Sequence, residues 1–447
     1  MEAPKPRARL PPEPPLAHPF IDLVQDPPTR RVWAGLSFQA VADELMRMAM
    51  IWLAIDMVGA AASFLLFGQL VAAFVVSILA GAVADRYSPR STMVFCNLLR
   101  AGLLLIPVAL AFGGLLTFAT LMAVGIAISS LRGVYDPALQ SSVPRLAPTP
   151  DHIQAVNGLF DSTHRLARLI GPSIGGLLSL LLPVIHFLTV SAGAYALGAL
   201  AMRRVGRGLD EPHGVARGAG IGGAVKRMLL GFAIARRDRP IARILAANTV
   251  CLIGWILGIT LGIPMLMANH PPSGFEHQPL VALSCVLAAY GVGDFFSNVW
   301  VANRRPADRW RFMFSGYFLL GIGVGSLPLP ILIGMGAFEL PATMAIAFVA
   351  GSGGPIFFLP MLTTLQTRVS GADIAAIFRL RIALTSGSMA AASLAGSWMF
   401  DWPGAIATVI FAGCVMTATG AVGMLSRPPE MERAPPEVPT TPASGHH

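Results

Sequence analysis

Charged side chains are scarce in this chain. Only 12% of its 447 residues are Asp, Glu, Lys or Arg, whereas 54% are hydrophobic. A soluble globular domain carries about 25% charged residues. The deficit excludes an ordinary soluble enzyme. Because a bilayer-spanning helix needs about 20 apolar residues, the composition indicates a protein that spends most of its length in a membrane.

Cysteine pairs and catalytic motifs are also missing. The cysteines, Cys96, Cys251, Cys285 and Cys414, stand singly inside apolar runs with no C-x-x-C pair, which is typical of small packing residues rather than a disulfide or zinc framework. No Walker A or HExxH motif is present. We therefore predict no enzymatic activity, no cofactor and no resident metal. The first thirty residues are Pro-rich and lack the apolar stretch of a cleavable signal peptide.

The positive charges follow the connections between the apolar runs. The formal net charge is +9, and most Lys and Arg fall in the N-terminal tail, near residue 90, in 203–243 and in 304–311. The intervening connections, near residues 59, 114, 183, 270–277, 339 and 401, contain neither. This alternation obeys the positive-inside rule. It predicts an even number of spans in a bacterial inner membrane with both termini cytoplasmic, and it argues against nucleic acid as a partner.

The apolar runs predict an all-α membrane protein of twelve transmembrane helices in two pseudo-symmetric six-helix bundles. The expected units are a disordered Pro-rich cytoplasmic tail (1–30), a first bundle (31–204), a basic amphipathic cytoplasmic linker (205–240), a second bundle (241–426) and a second disordered tail (427–447). The predicted helices are 31–58, 63–84, 91–112, 116–143, 153–182, 185–203, 241–268, 280–302, 312–333, 341–365, 373–400 and 404–425. Two related bundles place a substrate cavity at their interface, near the bilayer midplane.

Ionisable residues inside these helices are the candidates for function, because charge is costly in hydrocarbon. Asp161, Arg165 and Arg168 share one face of the fifth predicted helix. That face holds two arginines and one acid, which predicts spare positive charge for an anion. Asp43 and Arg47 stand four residues apart and are expected to pair. The substrate-cavity candidates are Arg132, Tyr135, Asp161, Arg165, Arg168, Asn248 and Asn298.

Carboxyl groups in low-dielectric surroundings take up a proton more readily than in water. Asp43, Glu44 and Asp294 are therefore the candidates for proton coupling. The competing interpretation is that the buried charges only hold helices together by pairing.

The turn from Gly81 to Arg90 resembles the loop between the second and third helices of the major facilitator superfamily. Further resemblance lies in Asp136-Pro-Ala-Leu-Gln140, in Gly171-Pro-x-x-Gly-Gly176 and in Gly354-Pro-x-x-x-x-Pro360, and it is strongest to the drug and siderophore exporter branch, which includes enterobactin and macrolide efflux proteins. The resemblance implies a twelve-helix, proton-driven exporter. It also implies a conformational latch formed by Gly81, Asp85, Arg86 and Arg90, although Ser88 and Pro89 depart from the family pattern.

The leading hypothesis is proton-coupled efflux of an amphiphilic or anionic small molecule, such as a drug or siderophore, by a monomer that works through alternating access. Two alternatives remain open. One is a transporter of the same fold for a divalent metal, with Asp43 and either Asn248 or Cys251 as ligands, or for a lysophospholipid. The other is a membrane scaffold that no longer transports.

Overall fold

A computed structural model describes residues 23–84, 87–146, 150–205, 209, 221–304, 306–369 and 372–426. All regular structure in those ranges is helical. Four parts of the prediction lie outside the described residues: Asp85 and Arg86 of the latch, residues 1–22 of the N-terminal tail, the whole C-terminal tail and part of the linker.

The first half contains six long helices. They are α1 (Pro27–Val58), α2 (Ser63–Ala84), α3 (Pro89–Phe112), α4 (Phe118–Leu146), α5 (Pro150–Ser179) and α6 (Ile185–Met202). Helix α1 begins before the expected residue 31, because the Asp26 side chain accepts a hydrogen bond from the Thr29 amide at 3.2 Å and Pro27 occupies the first turn. Ser88 and Pro89, which depart from the family pattern, act in the same way at the start of α3.

The second half is more segmented. It comprises α7 (Ile221–Arg237), α8 (Arg239–Trp255), a π-helical turn (Ile256–Thr260), α9 (Gly262–Asn269), α10 (Pro279–Ala302), α11 (Arg309–Ser326), α12 (Leu329–Ile333), α13 (Glu339–Arg368), α14 (Ala372–Asp401) and α15 (Ala405–Leu425). The continuous helix expected over 241–268 is interrupted, since Pro264 has no N–H to donate to the carbonyl of Thr260. Pro328 and Pro330 similarly separate α12 from α11.

Nine segments of the described residues are long and apolar enough to cross a membrane. One of them, Pro27–Ser77, covers α1 and most of α2. Helices α5 and α14 are outside this set although each has 30 residues. Arg165 and Arg168 lower the hydropathy of α5, and Arg379, Arg381 and several serines lower that of α14. Helices α5 and α14 are therefore candidates for positions away from lipid.

The two halves meet along two seams, in which α5 packs against α10 and α2 packs against α14. Both seams are tight near one membrane face. There a Cβ on Gly176 would lie 2.8 Å from the Cβ of Ser284, and Ser393 Oγ donates to the Ser63 carbonyl at 2.8 Å. The connections at this face (59–62, 113–117, 180–184, 270–278, 334–338 and 402–404) contain no Lys or Arg, so we call it the Arg-free face and the opposite one the basic face. The halves are closed together at the Arg-free face.

Candidate functional site

A cavity of about 70 Å³ lies between the halves. It has room for several water molecules, since one water needs about 10–15 Å³ of such volume. Helices α1 and α5 contribute one wall, and α8, the π turn, α9 and α10 contribute the other. The wall combines charged, aromatic and apolar side chains: Glu44, Arg47, Met48, Ile51, Arg168, Pro172, Trp255, Ile259, Thr260, Pro264, Leu283, Leu287 and Tyr290.

The π turn shapes the second wall of this cavity. Such turns recur at functional sites, because the extra residue re-aims the neighbouring side chains. Here Trp255, Ile259 and Thr260 line the cavity, and Trp255 Nε1 donates to the Tyr290 hydroxyl at 3.4 Å. Thr260 Oγ1 is buried and has no hydrogen-bond partner within the described part of the chain. The turn therefore brings aromatic surface and a free hydroxyl to the cavity.

A cluster of charged and amide side chains joins the two halves beside this cavity. We call Asp161, Arg165, Arg168, Asp294 and Asn298 the inter-half ion cluster. Arg165 Nε donates to Asp161 Oδ2 at 2.8 Å, and its Nη1 lies 3.5 Å from Asp294 Oδ2. Arg168 Nη2 lies 3.6 Å from the same Asp294 oxygen. The amide oxygen of Asn298, oriented toward Arg165, accepts from Nη1 at 3.0 Å and from Nη2 at 3.2 Å. Helix α5 of the first half is thus bound ionically to α10 of the second.

The expectation of spare positive charge on α5 needs correction. Asp294 supplies a second carboxylate from the opposite half, so the two arginines face two acids in this conformation. The sequence could not show this pairing, because the residues are about 130 positions apart. The Arg165 and Asp294 side chains are only 8% and 10% exposed. Removing one partner from such a buried pair typically costs about 3–5 kcal/mol.

Local sequence explains why the cluster can form. Residues 161, 165 and 168 fall on one face of α5 because they are separated by three and four positions. On α10, Gly291 lies one turn before Asp294, and a Cβ there would come within 2.9 Å of the Arg168 carbonyl oxygen. The missing side chain lets the two helices approach closely enough for their charged groups to meet.

The polar residues of α1 pair differently from the expectation. Arg47 binds Glu44, one turn away, rather than Asp43. Asp43 instead accepts a hydrogen bond from the Tyr195 hydroxyl of α6. The Asp43 carboxylate points toward α6, whereas the Arg47 side chain points toward the cavity, so the two do not pair. Asp43 is therefore held within the first half by a neutral donor.

Some predicted residues face open space nearer the basic face. Arg132 Nε lies 3.4 Å from Asp136 Oδ2, and these side chains are 55% and 53% exposed. The Asp161 side chain is 60% exposed. Arg132 also interacts electrostatically with Asp43, which places it on the inward side of α4. Water can thus reach these charges while the Arg-free face is closed.

Other predicted residues lie in the packed interior of one half. Tyr135 is fully buried, and its hydroxyl donates to the Met202 sulfur at 3.7 Å. Asn248 accepts from the Tyr317 hydroxyl at 3.1 Å. Neither belongs to the cavity wall described above. Of the predicted latch, the structure describes the backbone of Gly81 in α2 and Arg90, whose N–H donates to the Leu209 carbonyl at 3.2 Å.

Several site residues were not predicted from the sequence. Tyr195, Trp255, Thr260 and Tyr290 are uncharged and stand inside apolar runs, so neither charge nor periodicity distinguishes them. The clustering of Gly258, Gly262 and Pro264 is the feature that could have indicated an irregular helix beside a cavity. Within the described ranges, no group of three or more His, Cys, Asp or Glu residues is arranged to hold a metal ion.

Comparison with known families agrees with this architecture. The model of the Major Facilitator Superfamily matches residues 32–378, which is most of the chain. The chain belongs to the Major Facilitator Superfamily. It is therefore a multi-pass membrane transporter of small molecules and not an enzyme.

Curated relatives of this transporter include efflux proteins. It is 26% identical over 340 residues to "Multidrug efflux pump Tap" of Mycolicibacterium fortuitum, covering 72% of this chain and 77% of that protein. It is 21% identical over 349 residues to "Uncharacterized MFS-type transporter YfiS" of Bacillus subtilis (strain 168), covering 78% and 80%. The resemblance to the drug-exporter branch is confirmed at this level.

Solved structures show the same fold at low identity. The transporter aligns with the nucleoside transporter NupG with a TM-score of 0.66 at 13% identity, covering 88% of this chain and 97% of that one. It aligns with a POT family transporter in complex with 5-aminolevulinic acid with a TM-score of 0.65 at 14% identity, covering 89% and 95%. These similarities confirm the predicted fold class.

Proposed function

We propose that the protein is a monomeric, proton-coupled exporter of an amphiphilic or anionic small molecule in the bacterial inner membrane, with both termini in the cytoplasm. The observation that carries the proposal is the inter-half ion cluster, in which one buried carboxylate, Asp294, holds two arginines of the opposite half. A charged contact across a moving interface can be broken by a proton or by a competing ligand. Coupled transport needs both events, one for the proton and one for the substrate.

The cluster supports an exchange mechanism. While Asp294 is ionised and no substrate is bound, its attraction to Arg165 and Arg168 opposes separation of α5 and α10. A proton on Asp294 removes that attraction. An acidic group of a substrate that engages Arg165 and Arg168 also removes it, by taking the place of Asp294. The halves then rearrange with either a proton or a substrate bound, which is the condition for exchanging one for the other.

The accessibility of the charges in this conformation is what the loading of an exported substrate requires. The halves are closed at the Arg-free face, while Asp161, Arg132 and Asp136 remain exposed. If the basic face is cytoplasmic, as the positive-inside rule predicts, the cavity is reached from the cytoplasm in this conformation. The Tap relatives are named as multidrug efflux pumps, and efflux is transport out of the cytoplasm.

The cavity wall supports an amphiphilic substrate. Trp255 and Tyr290 offer aromatic surface, and Arg47 and Arg168 offer guanidinium groups on the same wall. Ligand sites commonly combine such apolar lining with a few placed polar groups. Arg168 Nε is buried without a hydrogen-bond partner in the part of the chain that the structure describes, so a donor remains for an acidic substrate group.

Reconstituted vesicles test the proposed function. The purified protein is placed in liposomes, and transport of an anionic amphiphile (anilinonaphthalene sulfonate) and a cationic one (ethidium) is followed by fluorescence with and without a pH gradient. We expect gradient-driven transport that favours the anion. Transport that ignores the gradient would contradict proton coupling, and transport of the cation alone would contradict the anionic assignment.

Replacing Asp294 with asparagine should shift the protein toward opening at the Arg-free face. The amide keeps the size of the carboxyl group but loses its attraction to Arg165 and Arg168. Ser284 is only 2% exposed in the closed face, so the substitution Ser284→Cys places a thiol there that reports opening. In a background that carries this substitution and lacks the native cysteines, labelling of the thiol by a membrane-impermeant maleimide should rise about fivefold, equivalent to a shift of about 1 kcal/mol.

Asp161→Asn is the matched control for this experiment. Asp161 belongs to the same cluster, but it pairs with Arg165 on its own helix and its side chain is 60% exposed. Exposed ion pairs contribute little to stability, and this pair does not join the two halves. Labelling of the thiol should therefore stay near the background value. Equal labelling of the Asp294→Asn and background proteins would refute the role of Asp294 in holding the halves.

A further inference from the structure

Two adjoining grooves open on the outer surface of the second half, near the basic face. The first has a volume of about 560 Å³ and lies between α8, α11 and α15. The second has a volume of about 330 Å³ and lies between α7, α8 and α14. Ala246 and Val250 of α8 line both grooves. Both volumes are in the range of about 300–1,000 Å³ typical of ligand sites.

Small side chains on α8 create the grooves. Ala242, Ala246 and Val250 recur every fourth residue and so form one outward ridge. Most side chains on either side of this ridge are apolar and larger. Trp310, Phe314 and Val422 line the first groove, and Phe232, Leu380 and Leu384 line the second. Each groove is therefore an apolar channel suited to a hydrocarbon chain, and the two channels run on opposite sides of one helix.

An arginine lines each groove. Arg243 belongs to the first, where its Nη1 donates to the Ser426 carbonyl at 2.5 Å. Arg236 belongs to the second, where its guanidinium lies 5.9 Å from the centre of the Phe232 ring. Arg237 and Arg239 are exposed between them in sequence. The nearby acid, Asp238, is engaged by Arg368 at 2.7 Å. The region between the grooves is consequently positive.

The neighbouring helix α7 has an apolar surface suited to the membrane interface. Leu229, Leu230 and Phe232 are 60%, 48% and 51% exposed, while Arg236 and Arg237 stand at its last turn. An amphipathic helix with this pattern lies along the headgroup region of a bilayer. The arginines of the grooves are then at the depth of lipid phosphates, and the channels extend toward the acyl chains.

We propose that these grooves form a binding site for one anionic diacyl phospholipid of the basic-face leaflet. The phosphate is held between Arg236 and Arg243, and one acyl chain lies in each groove, on either side of α8. Basic pockets between membrane helices recognise anionic headgroups in this way. Two channels that share a ridge, each with its own arginine, fit a two-chain anion better than a fatty acid or free phosphate. Helix α8 continues directly into the π turn that lines the central cavity. A lipid bound on either side of α8 would therefore stabilise the position of that cavity wall.

Native mass spectrometry of the detergent-purified full-length protein tests this site without any transport assay. Phosphatidylglycerol, phosphatidylcholine and a single-chain fatty acid of equal chain length are titrated separately. We expect phosphatidylglycerol to bind at least about tenfold more tightly than either of the others. Arg236→Gln with Arg243→Gln should weaken it about 25-fold, since each arginine near a lipid surface contributes about 1 kcal/mol, or about fivefold in affinity.

Two further variants separate a built site from general attraction to a basic surface. Ala246→Trp places an indole on the shared ridge and should weaken phosphatidylglycerol binding with the arginines intact. Arg203→Gln with Arg204→Gln removes two exposed arginines from the end of the first half and should leave binding unchanged. Equal binding of phosphatidylglycerol and phosphatidylcholine, fatty-acid binding of the same strength, or an equal loss in the Arg203/Arg204 variant would each overturn the proposal.

Discussion

Replacing Arg165 with alanine should reduce transport at least about tenfold while the protein still reaches the membrane in near-normal amount. The Arg165 guanidinium contacts Asp161 and Asn298 as well as Asp294 in the other half. Loss of a buried charged partner typically costs about 3–5 kcal/mol. Arg168 stays within 3.6 Å of Asp294 and limits the damage to folding. The lost function is the controlled connection between the halves and a donor for the substrate.

Vesicle transport and membrane abundance are measured side by side for this variant. Arg165→Lys is an informative companion, because one ammonium group cannot reproduce the several directed hydrogen bonds of a guanidinium, and we expect partial activity. Arg203→Ala, at an exposed arginine outside the cluster, serves as the control and should transport normally. Full transport by Arg165→Ala would eliminate the inter-half ion cluster as the centre of the mechanism.

Replacing Asp43 with asparagine should separate transport from the proton gradient. The Tyr195 hydroxyl can still donate to the amide oxygen at position 43, so the local structure is preserved. The amide does not bind or release a proton in the physiological range. We therefore expect vesicles to equilibrate the substrate but not to accumulate it, so that the ratio of internal to external substrate falls to about one.

The matched control is Asp56→Asn, on the same helix. Asp56 lies two residues before the end of α1 and is exposed at the Arg-free face, and its removal should leave accumulation unchanged. Both variants are compared with and without an imposed pH gradient. Gradient-driven accumulation of normal size in Asp43→Asn would show that the coupling proton does not need Asp43, and Asp294 alone would remain as its binding site.

Much of the fold could be predicted because a membrane helix is recognised in the sequence by its length and its hydropathy. These signals predicted α2 at Ser63–Ala84, and the structure has the same bounds. The alternating Lys and Arg content divided the connections into two sets, one for each membrane face. Helix interruptions were harder to predict. The seventh predicted helix contained Gly258, Gly262 and Pro264, but membrane helices tolerate such residues, so they did not mark the π turn in advance.

Charge alone gave a partial view of the candidate site. Arg165 and Arg168 were identified because a charged stripe on an apolar helix is conspicuous. Their second partner, Asp294, was predicted to serve proton coupling and not to pair with them, because it belongs to the other half of the chain. Tyr195 was not identified at all, since a tyrosine in an apolar run is uncharged and common.

The amino-acid sequence by itself determined the membrane class, the position of most helices and the set of charged residues inside them. These features depend on hydropathy and on the energetic cost of charge in hydrocarbon, which are local properties of the chain. Only the tertiary structure decided which ions meet. Arg47 turns to Glu44 and not to Asp43, and Asp294 crosses to Arg165 and Arg168. Such pairings depend on which helices approach closely, and that is set by packing at positions such as Gly291 and not by the spacing of charges along the chain.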